Sequence, residues 1–374
     1  MDSPSVQPSA SKTPLIWLVL GDKRGDNAQV EIVEQQLPWP CIRKHVQVKD
    51  EYAIKKPHVR PTLHHIDLEL SDPLQAPWPD IILTVGRRPS SVAFWIKQQS
   101  AGHTRIVLFG KPSSRAKNYD LIITSSEILM PPLPNILTIG YPLMRVDQQA
   151  INVASQAWQT EFADLPCPLI AIMIGGPTKP YVFNQDTAQR ITKIAQQIIT
   201  QQNGTAYLVT SRRTPKHILE LLSKQLPQGC ILYRWDNQSD ENPYKALLGI
   251  ADGFIVTEDS ISMIVEVAKL GKALAIFPLS SGRFGWLDQQ RRRLTGKLFS
   301  NKSDTLVDKL RIRFALCLYT LRIANQVRDY RAFQDLLIAQ GHAVRVDQPL
   351  TTPTSPIEDD LSTVVAAIEQ FVKA

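Results

Sequence analysis

Short apolar-rich runs recur along this chain at 15–20, 44–48, 81–85, 105–109, 121–124 and 136–139, each followed by a Gly, Ser or charged turn. Runs of this length, rich in Val, Ile and Leu, predict strands buried on both faces, with helix-like or irregular stretches between them. Prolines at 38 and 40, 57 and 61, 73–79 and 131–134 mark turns that no helix runs through. A more polar helical stretch, 148–162, precedes Pro166 and Pro168, and there the rhythm restarts. The second half reads as strand 169–174, helix 184–201, strand 206–210, helix 215–224, strand 230–233, short helix 243–250, strand 253–257, helix 260–270 and strand 273–278.

This alternation predicts an α/β fold of two Rossmann-like, doubly wound parallel-sheet domains facing a cleft, with ligands outside the carboxyl ends of the strands. The expected division is a disordered tail over 1–13, an N-terminal domain over 14–147, a linker over 148–168 and a C-terminal domain over 169–283. A helical extension over 284–374 is expected to pack back on the body, with no strand after Pro278 and a terminal helix over 357–372. Its first part, 284–340, carries Arg291, Arg292, Arg293, Arg311, Arg313, Arg322, Arg328 and Arg331, and so holds much of the positive excess.

The chain's 374 residues are enough for two full cores. Lys and Arg number 42 against 35 Asp and Glu, a net charge of +7 that favours an anionic partner such as a nucleotide, a phospholipid surface or RNA. Four widely spaced cysteines without CxxC spacing indicate neither a disulfide framework nor a thiolate metal site and fit a reducing compartment. No apolar run approaches the roughly 18 residues that span a bilayer, and the first residues lack a secretory signal's basic and apolar regions. The expected location is therefore cytoplasmic, at most peripheral on the cytoplasmic membrane face. The chain has no HExxH cluster and no G-x-S-x-G elbow, and its aromatics, 7% of residues, do not interleave with basic residues. Metal-dependent hydrolase, esterase and nucleic-acid-binding readings therefore fall behind.

The polar clusters of the second half each follow a predicted strand. Gly175 and Gly176, with Thr178 and Lys179 beyond them, form a phosphate-loop candidate, since two glycines let backbone N–H groups approach an anion closely; a plain turn is the alternative. Ser211, Arg212, Arg213 and Thr214 precede Pro215 at a helix start, where hydroxyls, guanidinium groups and the helix dipole suit a diphosphate, with Thr214 the expected cap; a solvated basic loop is the alternative. Asp259 or Ser260 is expected to cap the next helix, on which Ser262 and Glu266 share a face at i,i+4, so that Glu266 is placed to take both hydroxyls of a ribose. Its alternative is an exposed carboxylate near Lys269. In the first half, Gly21, Asp22, Lys23, Gly25, Asp26 and Gln29 follow the first strand, and Arg87 and Arg88 follow Gly86 after the third. Asp22 and Asp26 are alternative carboxylate bases for an acceptor hydroxyl.

Taken in order, Gly21-Asp22-Lys23 with Gly25 and Gln29, Gly86-Arg87-Arg88, Ile174-Gly175-Gly176, 210–215, Asn242-Pro243-Tyr244 and Thr257-x-Asp259-Ser260-x-Ser262-Met263-x-x-Glu266 resemble the elongated-mitochondria (ELM) fission-factor family, in a bacterial-type member. The resemblance covers about 15–278 and implies a two-domain glycosyltransferase-like fold of the GT-B type, with acceptor contacts in the N-terminal domain and a nucleotide sugar in the C-terminal one. More distantly, Gly175-Gly176 and 260–266 are similar to the diphosphate loop and ribose-binding helix start of the N-acetylglucosaminyltransferase that makes lipid II, which implies Glu266 on ribose and Gly176 near diphosphate. The chain departs from the family's bacterial pattern at Ser125-Ser126-Glu127 and at 140–144.

The expected function is transfer of a sugar from a nucleotide-sugar donor to a lipid-linked or cell-envelope saccharide acceptor, with no metal and no further cofactor. Asp22 or Asp26 would deprotonate the acceptor, and Arg212, Thr214 and helix N-termini would stabilise the departing nucleoside diphosphate. The alternatives are a non-catalytic membrane-surface scaffold of the fission type and a nucleotide-sugar epimerase.

Overall fold

The computed structural model describes residues 13–52, 59–236, 241–300, 305–358 and 360–373. The expected tail therefore lies, up to residue 12, outside the described residues. By internal contacts the described residues divide into two units, one from those within 1–125, 133–139 and 360–374 and one from those within 126–132 and 140–359.

In the first unit, Ile16–Leu20 (β1), Cys41–His45 (β2), Ile81–Val85 (β3), Arg105–Phe109 (β4), Leu121–Ser125 (β5) and Ile136–Ile139 (β6) form one sheet in the order β2-β1-β3-β4-β5-β6. Every pairing is parallel, with Ile16 opposite both Cys41 and Ile81. β1 and β3 are buried at every position, as strands covered on both faces must be. Helices Arg24–Glu34 (α1) and Arg87–Gln99 (α2) follow β1 and β3.

The second strand differs from the expected 44–48. Its residues Cys-Ile-Arg-Lys-His lie at the sheet edge, none fully buried, so no apolar run announced them. The apolar Val46 and Val48 that suggested the later start lie beyond it, where Gln47–Val48 pairs antiparallel with Ile66–Asp67.

The second unit repeats the plan with Leu169–Ile174 (β7), Thr205–Thr210 (β8), Ile231–Tyr233 (β9), Gly253–Thr257 (β10), Ala273–Phe277 (β11) and Val344–Arg345 (β12) in the order β9-β8-β7-β10-β11-β12. Counted within the unit this is 3-2-1-4-5-6, and all pairings are parallel. Gln148–Ala157 (α3), Gln185–Gln202 (α4), Lys216–Gln225 (α5), Tyr244–Ile250 (α6) and Ile261–Lys269 (α7) surround the sheet. Beyond it come Arg283–Leu298 (α8), Leu306–Thr320 (α9) and Tyr330–Ala339 (α10). The two faces of the sheet bury separate apolar clusters, one around Phe254, Leu247 and Phe333 and one around Ile172, Leu208 and Phe277. Each unit is thus a doubly wound parallel α/β layer structure, and the chain has a helical C-terminal segment.

Two of the expected boundaries fall elsewhere. Residues 148–168 are not a free linker, because α3 and a short helix Gln159–Ala163 lay Ile151 and Phe162 into the second unit's core. Strands do not stop at Pro278: β12 pairs with β11, and Val327–Arg328 pairs antiparallel with Ile128–Leu129. Two-residue strands carry no apolar run and leave no periodic signal. The terminal helix, Leu361–Lys373 (α11), belongs to the first unit, where Arg105 donates to the Phe371 carbonyl at 2.8 Å and stacks on its ring.

Candidate functional site

Open parallel sheets bind ligands where the strand order reverses, outside the carboxyl ends of the two strands that flank the reversal. In the second unit those strands are β7 and β10, and the loops after them, with the loop after β8, carry most of the residues the sequence singled out.

The centre of this cluster is the Asp259 carboxylate, whose side chain is fully buried. It accepts from Thr257 Oγ1 at 2.7 Å, Gly176 N at 2.9 Å, Arg213 Nη2 at 3.1 Å and Ser260 Oγ at 3.2 Å. Thr257 Oγ1 in turn accepts from Gly175 N at 2.9 Å. Both glycine N–H groups expected to face a phosphate are therefore engaged within the protein. The close approach that requires glycine is also internal: a Cβ at Gly175 would meet Asp259 Oδ1 at 2.6 Å, and one at Gly176 would meet the Arg213 carbonyl carbon at 2.5 Å. Burial pushes the Asp259 carboxyl above its ordinary range, and the bonds from Gly176, Thr257, Arg213 and Ser260 hold it back.

Arg213 spans the loops, with Nη1 on Thr178 Oγ1 at 2.7 Å and Nη2 also 3.4 Å from Ser260 Oγ. Arg212 is exposed and makes no hydrogen bond or ion pair with another described residue, which leaves its guanidinium available to an anion. Ser211 Oγ lies 3.2 Å from Thr214 Oγ1 and accepts from Arg213 N at 3.3 Å.

Neither expected helix cap forms. Thr214 is buried, donates to the Gly175 carbonyl at 2.7 Å and accepts from Ser211 N at 2.9 Å, so it staples two loops while Pro215 stands in the cap position of α5. Ser260 occupies the cap position of α7, but its hydroxyl turns to Asp259 and makes no capping bond.

Farther along α7, Ser262 is exposed and Glu266 is half-buried. Glu266 is not the exposed carboxylate of the alternative reading: its Oε2 accepts from Tyr244 Oη at 2.6 Å, while Lys269 donates to the Met144 carbonyl at 2.7 Å. Tyr244 stood in the sequence only as part of a motif; its place at the start of α6, facing α7, gives it this role. Burial pushes the Glu266 carboxyl above its ordinary value of 4.5, and the Tyr244 bond offsets part of that rise. With the folded value above the unfolded one, the carboxyl's contribution to stability is fully present below the unfolded value and is lost as pH rises through the folded one. Glu266→Gln, which cannot ionise and keeps an acceptor for Tyr244, therefore gains on the wild type as pH rises from about 4 to about 8, read from denaturant midpoints.

A second acid was missed in the sequence. Glu258 is buried, accepts from Leu279 N at 2.6 Å and shares a hydrogen bond with Tyr181; burial raises its pKa, opposed by Leu279 N and the Arg331 charge.

In the first unit the reversal lies between β1 and β3, and the loops after them hold the acceptor-side candidates. Asn27 Nδ2 donates to the Gly21 carbonyl at 2.7 Å and fixes the turn. A Cβ at Gly21 would meet Pro89 Cγ at 2.9 Å, so Gly21 packs against the start of α2. Asp26 lies in the first turn of α1 with Lys23 Nζ at 3.8 Å, and its Oδ2 is 3.9 Å from where a Gly86 Cβ would stand. Gly86 itself has φ +87°, the left-handed region glycine serves. Asp26 is thus brought to the β3 loop, whereas Asp22 and Gly25 stay exposed and Gln29 is half-buried on α1. Arg88 is drawn to the Tyr52 carbonyl at 2.5 Å, and burial raises the pKa of the Tyr119 phenol, a rise that the nearby Arg87 charge partly offsets.

Against known proteins, the description "Mitochondrial fission ELM1" matches residues 24–298, well over half of the chain. The chain belongs to the mitochondrial fission ELM1 family. Within it, the Arabidopsis thaliana mitochondrial fission protein ELM1 is 26% identical over 220 residues, 53% of this chain and 51% of that protein. The chain thus matches about half the length of that plant relative. Rickettsia prowazekii (strain Madrid E) protein RP120 is 25% identical over 299 residues, 70% of this chain and 82% of its own. Among solved structures, Acinetobacter baumannii MurG aligns at 12% identity and a TM-score of 0.42, over 96% of this chain and 99% of its own. The UDP-GlcNAc 2-epimerase of Neisseria meningitidis, bound to UDP-GlcNAc, aligns at 10% identity and a TM-score of 0.44, over 96% and 100%. Among the described residues no group of three or more His, Cys, Asp or Glu is placed to hold a metal ion, and no helix is long and apolar enough to cross a membrane.

Proposed function

We propose that this ELM1-family protein is a glycosyltransferase of the GT-B type that uses a nucleotide sugar and a saccharide or lipid-linked acceptor. The observation that carries the proposal is the gathering of Thr178, Ser211, Arg212, Arg213 and Ser260 at the strand-order reversal of the second unit, with Ser262 and Glu266 following on α7. Guanidinium groups and hydroxyls there suit a diphosphate, and Glu266 retains Oε1 for a ribose hydroxyl while Oε2 holds Tyr244. In this reading Arg212 carries charge to the departing nucleoside diphosphate, while Thr214 acts through loop shape because its hydroxyl is already engaged. Asp26, near Gly86, is favoured over Asp22 as the acceptor's base. A lipid-linked acceptor would place the reaction at a membrane face.

One observation favours a second reading, a non-catalytic scaffold: the Gly175 and Gly176 N–H groups already have partners in the protein. Calorimetric titration with uridine, cytidine, guanosine and adenosine diphosphates separates the two. The transferase reading expects one of them to bind and to raise the unfolding midpoint. It also expects Arg212→Ala to weaken that binding about tenfold, the loss of one charge-assisted contact, with the ligand-free midpoint unchanged. A folded protein that binds none of the four overturns it. Turnover of a nucleotide sugar without acceptor would mark an epimerase instead.

A further inference from the structure

Helices α8 and α9 carry a concentration of large apolar side chains exposed to solvent. On α9, Leu306, Leu310, Phe314 and, just past its end, Leu321 recur at helical spacing and are 78%, 64%, 60% and 63% exposed, whereas Ala315 is buried. A stripe at this spacing ordinarily faces the core. On α8, Trp286, Leu287 and Leu294 are likewise exposed, and Val307 and Ile323 complete the set. Of thirteen exposed large apolar side chains among the described residues, nine lie between 286 and 323. The pair is tied together rather than frayed, since Arg311 Nη1 donates to the Leu298 carbonyl at 2.9 Å and the Ser300 carbonyl at 2.7 Å, and Phe299 meets Tyr319 edge to face.

The charge of the same segment names what covers it. Residues 283–323 contain ten Lys and Arg and three Asp and Glu, leaving 32 of each sign in the rest of the chain, so the entire net charge of +7 resides here. Asp288 is taken by Arg291 and Arg292 and Asp308 by Arg311. Exposed Arg293, Lys297, Lys309, Arg313 and Arg322 form no ion pair with a described residue.

We infer that α8 and α9 dock on the surface of an anionic phospholipid bilayer, with Trp286, Leu294, Leu310 and Phe314 entering the headgroup boundary and the free Lys and Arg side chains meeting lipid phosphates. Apolar side chains interleaved with cations are the composition of a helix that lies in the interface plane, and helices of 16 and 15 residues are too short to span. A second copy of the chain fits poorly, because a twofold pairing of this face would set cations against cations. The inference is independent of nucleotide binding, and none of these residues belongs to the candidate site.

Flotation of the full chain with vesicles tests it. The protein is expected to float with vesicles of phosphatidylcholine containing one third phosphatidylglycerol and to remain in solution with phosphatidylcholine alone. Lys309→Glu with Arg313→Glu is expected to lower partitioning about tenfold or more, since each basic residue near the surface is worth about a fivefold change. Leu310→Ser with Phe314→Ser, both at exposed positions, is expected to abolish the fraction that resists raised salt while leaving the thermal midpoint unchanged. Absence of flotation with anionic vesicles, equal flotation with both vesicles, or full binding by both variants overturns the inference. So does a dimer in solution that Phe314→Ser dissociates while the wild type ignores lipid.

Discussion

Gly176→Ala lowers the midpoint of thermal unfolding by about 6 to 12 °C, because the added methyl group has nowhere to go. Its Cβ would stand 2.5 Å from the Arg213 carbonyl carbon, with the carbonyl oxygen and Arg213 Cβ also inside contact distance. These are largely backbone atoms, and Arg213 cannot retreat as a flexible side-chain tip would. The Thr214 that follows it is tied to Gly175 O at 2.7 Å, and the Gly176 N–H itself is held by Asp259 at 2.9 Å. Forcing a methyl group into a packed site costs about 3 kcal/mol, and each kcal/mol moves the midpoint of a domain this size by about 2 to 4 °C. Gly175→Ala is expected to cost less, since its clashes are with the Ser260 and Asp259 side chains, although turning the Asp259 carboxylate aside would break its bond to Gly176. Gly25→Ala is the control: it lies inside α1 with nothing within 4 Å of its Cβ and is expected to gain about 0.5 to 1 kcal/mol from helix propensity alone. An unchanged midpoint for Gly176→Ala would mean that the loops after β7 and β8 do not pack as described.

How much of this was legible in the sequence follows from how local each cause is. Leu169–Ile174 and Gly253–Thr257 were visible because strands covered on both faces must be apolar at every position. The loops after them could be named as the site because parallel sheets present function at their carboxyl ends. Partners across long sequence separations were not legible. The partner of the Gly176 N–H is 83 residues away, and Tyr244 meets Glu266 across two helices. In the chain itself Gly175-Gly176 looks the same whether its donors face a phosphate or an aspartate. The Leu306–Leu310–Phe314 spacing was equally ambiguous, since periodicity shows that a helix has an apolar stripe but not which way the stripe points. Val344–Arg345 was lost for a third reason: a two-residue strand has no period. The terminal helix was visible as a helix, yet its docking on the first unit through Arg105 rests on contacts some 266 residues apart.

Asp259→Ala is expected to cost about 3 kcal/mol, because it removes the acceptor on which the buried loops converge. The Gly176 N–H and the Thr257 hydroxyl would be left without that partner in a site closed to water, at about 1 to 3 kcal/mol for each buried donor so stranded. The lost ion pair adds little to this, since the Arg213 side chain is 47% exposed and returns to water. Asp259→Asn keeps the shape and one acceptor, and is expected to cost about half as much. Its deficit is expected to shrink as pH rises: burial places the folded Asp259 value above the unfolded 3.8, so the wild type loses stability as pH climbs through the folded value while the amide does not titrate. The same variant probes function from the other side. Asp259 holds a negative charge on the Gly176 N–H and Arg213, the donors a diphosphate would use, so neutralising it removes a competing anion. On the transferase reading, Asp259→Asn binds the cognate nucleoside diphosphate about tenfold more tightly than the wild type, the 1.4 kcal/mol of one relieved like-charge contact. Weaker binding by a folded Asp259→Asn would instead assign the carboxylate the task of aiming Arg213 at the ligand, and would place the phosphates on Arg212 and the open side of the loop, away from the glycine N–H groups.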